Sequence, residues 1–307
     1  MKYDNVIFFN YFHLGDLHIS RNYIKKIMSR IPANNYFETN QYGEDVLKDI
    51  DNLQYLRWHS FTNFCGVRYD VPFAVSMNGD LRTLFVNTWV GQNQTLNKMP
   101  RDDGVCTFRR NNENYNLILR ELGVEEIRDD DVDVFPSIDY EKYEIENVDS
   151  FLSKTFGPFV LLFNNEVKSG QCENFDFDPI VEKLYKEFPE HKFILSNDTE
   201  LTKDKSINNI FSASEIIKKD SMDLNELSYL STFCDVLVGR NSGPQTFAYV
   251  IENFLCPNKK NITICDHKNE SDYMASTYEE CKMKTYWMKY GEKDVFEFIK
   301  ESINETK

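Results

Sequence analysis

A cluster of polar residues follows the first apolar segment of the chain. His13, Gly15, Asp16 and His18 lie close together in the stretch "FHLGDLHIS". A carboxylate or an imidazole at such a turn can act as a general base on a hydroxyl group. Helix capping would account for Asp16, because acidic residues stabilise the first turn of a helix, but it leaves Gly15 and both histidines unexplained. Asp16 is therefore the first candidate base, His13 is the alternative, and His18 is a candidate substrate contact.

A second constellation lies in "VLVGRNSGPQTFAYVI", where an apolar strand ends at Gly239 and a helix is predicted to follow. Asn241, Ser242 and Gly243 form the turn, and Gln245 lies in the first turn of the helix. Free backbone N–H groups at a helix start, together with the helix dipole, attract phosphate groups. The alternative is an ordinary capped turn, since Ser-Gly-Pro is a common way into a helix.

The segment "FNNEVKSGQ" adds a cation at a similar position, after the first predicted strand of the second half. Lys168 can clamp a diphosphate there, with Ser169 as a neighbouring donor; a surface lysine in a polar loop is the alternative. Both loops project from the same edge if their strands share one parallel sheet. Glu215 or Glu226 can hold ribose hydroxyls, as an acid does in dinucleotide folds, although both also suit a solvated helix surface.

Two acidic segments have a spacing that metal ligands use. "DDDVD" (129–133) and "DFD" (176–178) contain Asp-x-Asp pairs, which can hold Mg²⁺ or Mn²⁺ against a diphosphate. The first lies in an acidic stretch whose charge favours solvation, and helix capping accounts for the second. We therefore expect no metal ion and no other cofactor.

The composition excludes several classes of function. The 307 residues carry 35 basic and 50 acidic side chains, a net charge of −15, which argues against non-specific nucleic-acid binding. An anionic small ligand remains compatible, because a few local cations or N–H groups suffice. The seven cysteines show neither disulfide nor zinc spacing and favour a reducing cytoplasm. We expect no signal peptide and no membrane span.

Strands and helices alternate along the first half. Residues 5–10 are predicted as a buried strand, and apolar residues repeat at helical spacing from Asp16 to Pro32. Further predicted elements are strands at 74–76 and 84–90 and a helix at 114–122. The acidic residues 125–150 have no clear helical period and are predicted to form an interdomain connection with one short strand at most.

The second half repeats this alternation. Strands are predicted at 159–163, 192–196, 207–212, 234–239 and 261–266, with helices from 178, at 224–233, from 243 and at 294–303. Alternation of this kind is typical of a doubly wound parallel sheet. The α/β chain is therefore predicted to contain two Rossmann-like, doubly wound domains, 1–150 and 151–307, that face each other across a cleft.

The stretch "HLGDLHISRNYIKKIMSRIP" resembles the start of the heptosyltransferase-like glycosyltransferases, the family 9 group with the two-domain GT-B fold. In that family the aspartate of a Gly-Asp turn is the proposed catalytic base, and Asp16 matches it. "LNELSYLSTFCDVLVGRNSGPQTFAYV" resembles the family's donor-site segment, with Arg240 or Asn241 near the place of its usual aspartate. Lys168 is similar to a lysine after the first strand of the family's second domain.

The resemblance implies a glycosyltransferase that moves a sugar from a nucleotide-sugar donor to a hydroxyl group of a glycan or lipid-linked acceptor. Asp16 would be the base of an inverting, metal-independent reaction, with His18 and Arg21 as acceptor contacts. The expected donor contacts are Lys168, Ser169, Glu215, Asn241, Ser242, Gly243 and Gln245. Two alternatives stay open: a sugar-nucleotide epimerase or hydrolase on the same fold, and a non-catalytic nucleotide-sugar binding protein.

Overall fold

The computed structural model describes residues 2–10, 14–56, 73–88, 107–128, 134–168, 172–218, 222–265, 281–291 and 294–305. The chain divides into two compact units, Met1–Ser137 and Ile138–Lys307, and each unit is built on a sheet of its own. The predicted α/β class with two mostly parallel sheets is confirmed.

The first unit contains a five-stranded sheet. Its strands are β1 (Tyr3–Phe9), β2 (Ala33–Glu38), β3 (Leu53–Tyr55), β4 (Phe73–Asn78) and β5 (Leu81–Asn87), and its helices are α1 (Leu14–Ile19), α2 (Arg21–Arg30), α3 (Gly43–Leu47) and α4 (Thr107–Glu121). The order across the sheet is β3-β2-β1-β5-β4, and only β4 runs antiparallel to its neighbour. β1 is central, so its carboxyl end lies at the edge where doubly wound sheets bind ligands.

The single helix predicted from Asp16 to Pro32 is divided at Ser20 into α1 and α2. Ser20 keeps a near-helical backbone, and its hydroxyl donates to the carbonyl of Leu17 at 2.7 Å. The predicted apolar face is nevertheless correct, because Tyr23, Ile24 and Ile27 are buried.

The prediction of an interdomain connection over 125–150 is wrong for its second part. A 3₁₀ helix (Tyr140–Lys142) and α5 (Glu146–Leu152) form there, and both belong to the second unit. Val148 is completely buried, and the Tyr140 hydroxyl lies 2.9 Å from that of Ser228. The acidic residues face solvent and obscured this apolar pattern, so the boundary predicted after residue 150 falls inside α5.

The second unit contains a six-stranded, entirely parallel sheet. Its strands are β6 (Phe159–Phe163), β7 (Lys192–Leu195), β8 (Ile210–Ser212), β9 (Val236–Arg240), β10 (Lys260–Cys265) and β11 (Lys284–Lys289). Its further helices are α6 (Asp178–Glu187), α7 (Glu200–Lys203), α8 (Ala213–Ile217), α9 (Leu224–Thr232), α10 (Gly243–Thr246), α11 (Ile251–Phe254) and α12 (Val295–Asn304).

The strand order β11-β10-β9-β6-β7-β8 is the order of a doubly wound dinucleotide fold. Successive strands are added outward from β6 on one side and outward from β9 on the other, so the strand order reverses between β6 and β9. Every residue of β6 and β9 is buried, as continuous apolar runs in a covered parallel sheet predict. The carboxyl ends of these two strands therefore form the topological switch point, the usual ligand position of such sheets.

The helix predicted from residue 243 is replaced by the two one-turn helices α10 and α11. Val250 between them has an extended backbone, with φ −125° and ψ 156°. The Asn253 side chain donates to the carbonyl of Ala248 at 2.7 Å and stabilises the break. Because a single turn carries little dipole, phosphate binding at this turn would rest on individual N–H and hydroxyl groups.

Candidate functional site

Asp16 lies in the first turn of α1, shortly after the carboxyl end of β1. The residue is half-buried, but its carboxyl group is surrounded by protein. This burial raises the pKa of Asp16 to about 7, against a smaller lowering effect of its own backbone N–H. A carboxyl group with this pKa takes up and releases a proton near neutral pH, as a general base must. His13, the alternative base, lies outside the described residues.

Tyr115 on α4 belongs to the same polar group. Burial raises the pKa of Tyr115 well above its ordinary value, a hydrogen bond with Ser20 lowers it, and the negative charges of Asp16 and Glu38 raise it further. The Tyr115 hydroxyl donates to the carbonyl of Thr88, just after β5, at 3.2 Å. The carboxyl ends of β1, β2 and β5 thus share one polar environment that contains two carboxyl groups.

Glu38, the last residue of β2, was not predicted from the sequence. Its Oε1 accepts the backbone N–H groups of Thr39 (3.0 Å) and Asn40 (2.9 Å), whereas its Oε2 has no partner among the described residues. Burial raises the pKa of Glu38 to about 8, and those two N–H groups lower it less. Gly43 makes room for this side chain, since a Cβ there would lie 2.7 Å from the Glu38 Cγ.

The two predicted acceptor contacts, His18 and Arg21, have no exposed surface. Arg21 Nε donates to His18 Nδ1 at 3.1 Å, and the guanidinium also binds the Asp49 carboxylate and the carbonyl of Val46. His18 accepts a hydrogen bond from a cation, so its Nδ1 carries no proton. This geometry corrects the prediction: both side chains connect α1 and α2 to α3, and neither presents an atom to an acceptor.

The turn after β9 differs from an ordinary capped turn. Ser242 occupies the N-cap position of α10, but its hydroxyl makes no capping hydrogen bond. The Ser242 Oγ is buried and has no partner among the described residues. A Cβ at Gly243 would meet no atom within 4 Å, so the space beside this residue is open. Asn241 is buried, and its backbone N–H donates to the carbonyl of Ile264 at 2.8 Å.

Gln245 is almost completely buried, which corrects its assignment as a donor contact. Its Nε2 lies 3.3 Å from Asn261 Oδ1, 3.1 Å from the carbonyl of Ile262 and 3.1 Å from Thr263 Oγ1. The side chain therefore holds the turn against β10. Gly239 allows this approach, because a Cβ there would lie 3.2 Å from Gln245 Cδ.

Arg240, the last residue of β9, is buried with 3% of its surface exposed. Its Nη1 donates to the carbonyls of Asn164 and Asn165, each at 2.9 Å, and its Nη2 donates to the carbonyl of Phe175. The guanidinium also lies against the rings of Phe175 and Phe177, 4.6 and 4.7 Å from their centres. Arg240 thus connects the end of β9 to the loop that follows β6.

Lys168 is exposed in that loop. The loop is anchored beside it, because Asn174 accepts the N–H of Val167 at 2.7 Å and donates to its carbonyl at 3.1 Å. Lys168 therefore offers an accessible ammonium group on a fixed backbone. Ser169, its predicted companion, lies outside the described residues.

A polar ledge at the ends of β6 and β7 was also missed. Asn164 Oδ1 accepts from the Ser196 hydroxyl at 3.1 Å and from the N–H of Asn197 at 2.7 Å, and Asn165 donates to Asn197 Oδ1 at 2.9 Å. Asn165 and Asn197 are at least partly exposed, so their amides can contact a hydroxyl-rich ligand. The signal for this group is the asparagine within two residues of the end of each apolar strand, in "FNN" and "LSND".

The two candidate ribose acids differ in position. Glu215 on α8 is exposed and pairs with Lys205 at 2.7 Å. It follows β8, three strands from β9, a separation of about 14 Å. Glu226 on α9 is completely buried and accepts the N–H of Glu144 at 3.4 Å. Glu215 stays a predicted donor contact, and Glu226 has no accessible atom for one.

Within the described part of the chain, no group of three or more His, Cys, Asp or Glu side chains has the arrangement of a metal site. "DDDVD" lies outside the described residues, and the Asp176 carboxylate accepts the N–H of Asp178 at 3.0 Å in a capping interaction. Metal independence stays a prediction. None of the described helices combines the length and apolar composition that a membrane crossing requires.

Comparison with solved structures identifies the fold. A glycosyl transferase family 9 protein from Veillonella parvula is 11% identical with a TM-score of 0.55, over 94% of this chain and 86% of that one. The Escherichia coli heptosyltransferase WaaC, solved with ADP-2-deoxy-2-fluoro heptose, is 10% identical with a TM-score of 0.53, over 99% of this chain and all of that one. The Escherichia coli ADP-heptose LPS heptosyltransferase II is 9% identical with a TM-score of 0.51, over 98% of each chain.

No protein-family model matches the sequence, and the curated proteins contain no match to it either. At identities near 10% the structural likeness concerns the fold alone. The chain has the two-domain GT-B fold of the heptosyltransferases, as the resemblance of its first helix and its β9 turn predicted.

Proposed function

We propose that this protein is a glycosyltransferase that moves a sugar from a nucleotide-sugar donor to a hydroxyl group of its acceptor. The observation that carries the proposal is the Asp16 carboxyl group, with a pKa raised to about 7, at the carboxyl edge of the first sheet. The GT-B neighbours support a nucleotide-sugar donor, because one of them was solved with ADP-2-deoxy-2-fluoro heptose.

Asp16 acts as the general base in this mechanism. It removes the proton of the acceptor hydroxyl as the oxygen attacks the anomeric carbon of the donor sugar. The bond between that carbon and the nucleotide phosphate breaks, and the electron pair leaves with the nucleoside diphosphate. A single displacement of this kind inverts the anomeric configuration. Asp16 ends protonated and returns its proton to solvent.

The second unit binds the donor. Ser242 offers a hydroxyl group without an internal partner, Gly243 leaves space beside the backbone, and Lys168 supplies an accessible positive charge. Preorganised donors of this kind stabilise the negative charge that develops on the leaving diphosphate. The reaction then needs no metal ion. The proposed acceptor is a glycan or a lipid-linked acceptor.

A donor screen followed by a transfer assay tests the proposal. Donor binding to the folded state raises the melting temperature by mass action, so a thermal-shift screen with UDP-, GDP-, ADP- and CMP-sugars identifies the nucleotide. The stabilising donor is then incubated with candidate acceptors, with and without EDTA. We expect transfer with inverted configuration that EDTA does not change.

Three outcomes contradict parts of the proposal. Release of free sugar or an epimer from the donor alone identifies a hydrolase or epimerase. Binding without turnover for any acceptor identifies a binding protein. Loss of activity with EDTA, restored by Mg²⁺, contradicts metal independence.

A further inference from the structure

Arg240 is a buried cation that forms no ion pair with the described residues. No carboxylate in the described part of the chain lies within salt-bridge distance of its guanidinium, and burial lowers the pKa of Arg240. Burying an unpaired charge is costly. Three backbone carbonyls, two aromatic faces and the more distant charges of Glu166 and Asp176 offset part of that cost. The positive charge at the end of β9 is therefore available to attract an anion.

The contacts of Arg240 also orient the loop after β6. In a planar trans peptide the C=O and N–H bonds point in opposite directions. The carbonyls of Asn164 and Asn165 both point at Arg240 Nη1, so the next N–H groups, those of Asn165 and Glu166, point away from it. No described residue accepts a hydrogen bond from either N–H, and both residues are at least partly exposed.

Two successive, unpaired N–H groups on one side of a loop form an anion-binding concavity. This one lies at the topological switch point, between the ends of β6 and β9, where doubly wound sheets bind ligands. The guanidinium lies behind the same peptide groups, and its charge adds to their dipoles. The Glu166 carboxylate is exposed and belongs to the same loop, so its negative charge opposes anion binding and the positive charge of Arg240 has to offset it.

We propose that Asn165 and Glu166 bind a phosphate group through their backbone N–H groups and that Arg240 is the positioning residue that presents them. The ligand class is a diphosphate. This inference rests on the proposed function in one respect, namely that the diphosphate is that of a nucleotide-sugar donor. Arg240 touches no ligand itself; it acts through the peptide groups that it holds.

The first test uses the unmodified protein and inorganic pyrophosphate. Titration is followed by the amide resonances of isotope-labelled protein. We expect the N–H signals of Asn165 and Glu166 to shift saturably, and the affinity to fall with added salt as for a charge-dependent interaction. Absence of a shift at both amides overturns the proposal, whether or not any variant folds.

The second test compares Arg240→Met and Arg240→Lys with Arg120→Met, which makes the same change at an exposed ion pair with Glu126. Affinity is measured by calorimetry for a nucleoside diphosphate and for the uncharged nucleoside. We expect Arg240→Met to weaken the diphosphate about tenfold or more and to leave the nucleoside unchanged. Arg240→Lys should fall between, because an ammonium group lacks the second nitrogen that donates to the carbonyl of Phe175.

Amide hydrogen exchange over residues 164–168 provides a readout specific to positioning. It should accelerate in Arg240→Met and stay unchanged in Arg120→Met. A folded Arg240→Met protein with unchanged diphosphate affinity overturns the inference. The proposed function fails separately: pyrophosphate binding that depends on Arg240, without sugar transfer, removes the transferase and keeps the anion site. Normal transfer by Arg240→Met keeps the transferase and contradicts the role of Arg240 at the anion site.

Discussion

Burial shifts the pKa values of two carboxyl groups in the first unit and of two cations in the second. In the first unit, Asp16 and Glu38 lie in a protein environment that raises their pKa values to about 7 and about 8. In the second unit, Arg240 and Lys259 are buried cations, and burial lowers the pKa of both. Lys259 donates to the carbonyls of Ser231 and Thr232 and to Asn253 Oδ1, at 2.7–2.8 Å.

This difference has a chemical consequence. A buried carboxyl group avoids its desolvation cost by keeping a proton, so it becomes a group that exchanges protons near neutral pH. A buried guanidinium cannot lose its proton and is stabilised by carbonyl oxygens, so it stays a source of positive potential. The first unit is therefore suited to proton transfer and the second to anion binding.

Asp16→Asn tests the proton-transfer half of this comparison and should have the largest effect. Loss of a positioned general base lowers turnover by about 10³-fold, while the donor affinity, a property of the second unit, stays unchanged. In the unmodified protein, activity needs ionised Asp16, so kcat/KM should rise with pH and level off above about 7. Turnover close to that of the unmodified protein would reassign the base, with His13 first in line.

Lys259→Met tests the second buried cation of the second unit, for which we expect no ligand. It asks whether the hydrogen bonds of Lys259 stabilise the folded protein. Three acceptors, of which that of Thr232 is only partly buried, lose their donor, and relief of the lysine's own desolvation offsets part of that cost. We expect a loss of about 2–4 kcal/mol in the free energy of unfolding, measured by urea denaturation. The exposed Lys186→Met, which removes an i,i+4 pair with Glu182, is the control and should leave stability unchanged. Equal midpoints for the two variants would contradict this account.

Glu38→Gln tests the buried carboxyl group through the pH dependence of stability. The folded pKa is raised, so the folded state holds the proton between the ordinary value of 4.5 and about 8. Unfolding free energy should therefore fall as pH rises through that window, and Asp16 adds the same trend up to about pH 7.

The glutamine variant should have a flatter profile. Its free energy of unfolding should exceed that of the unmodified protein most near pH 8, by on the order of a few kcal/mol. At pH 4.5 the two free energies should be equal. Parallel profiles for the two proteins would show that Glu38 ionises normally.

Glu215→Gln should have the smallest effect. It tests whether the proposed donor site extends from the ends of β6 and β9 to Glu215 on α8. Its ion pair with Lys205 is exposed, so stability should change by no more than about 0.5 kcal/mol. If Glu215 holds the ribose as predicted, nucleoside diphosphate affinity falls about threefold to tenfold, the size of one hydrogen bond, and pyrophosphate affinity does not. Unchanged nucleotide affinity would exclude Glu215 from the donor site.

The elements that carry the site were predictable because their signals are local. The runs "FVLLF" and "VLVG" are apolar enough to require burial on both faces, which predicts parallel strands. Their alternation with helices indicates the doubly wound sheets, and the Gly-Asp turn indicates where Asp16 lies. Acidic residues 138–150 were misinterpreted because solvated carboxylates outnumber the tyrosines and valine that pack inward.

Roles of individual polar residues were less predictable. His18, Arg21 and Gln245 are of residue types that commonly contact ligands, yet all three are buried. Their partners are distant in sequence: Arg21 binds Asp49, 28 residues away, and Gln245 contacts Asn261, 16 residues away. Local spacing cannot distinguish a polar side chain that meets a ligand from one that meets another strand.

The sequence by itself determined the fold class, the order of the strands along the chain and the turns at which chemistry is possible, because hydrophobic periodicity acts over a few residues. Only the tertiary structure decided which polar groups are buried and what they meet. It buried Glu38, which raises the pKa of that carboxyl group, and brought Arg240 to two carbonyls about 75 residues earlier in the chain. Desolvation and hydrogen bonding depend on what packs around a group, and packing joins segments that the sequence keeps apart.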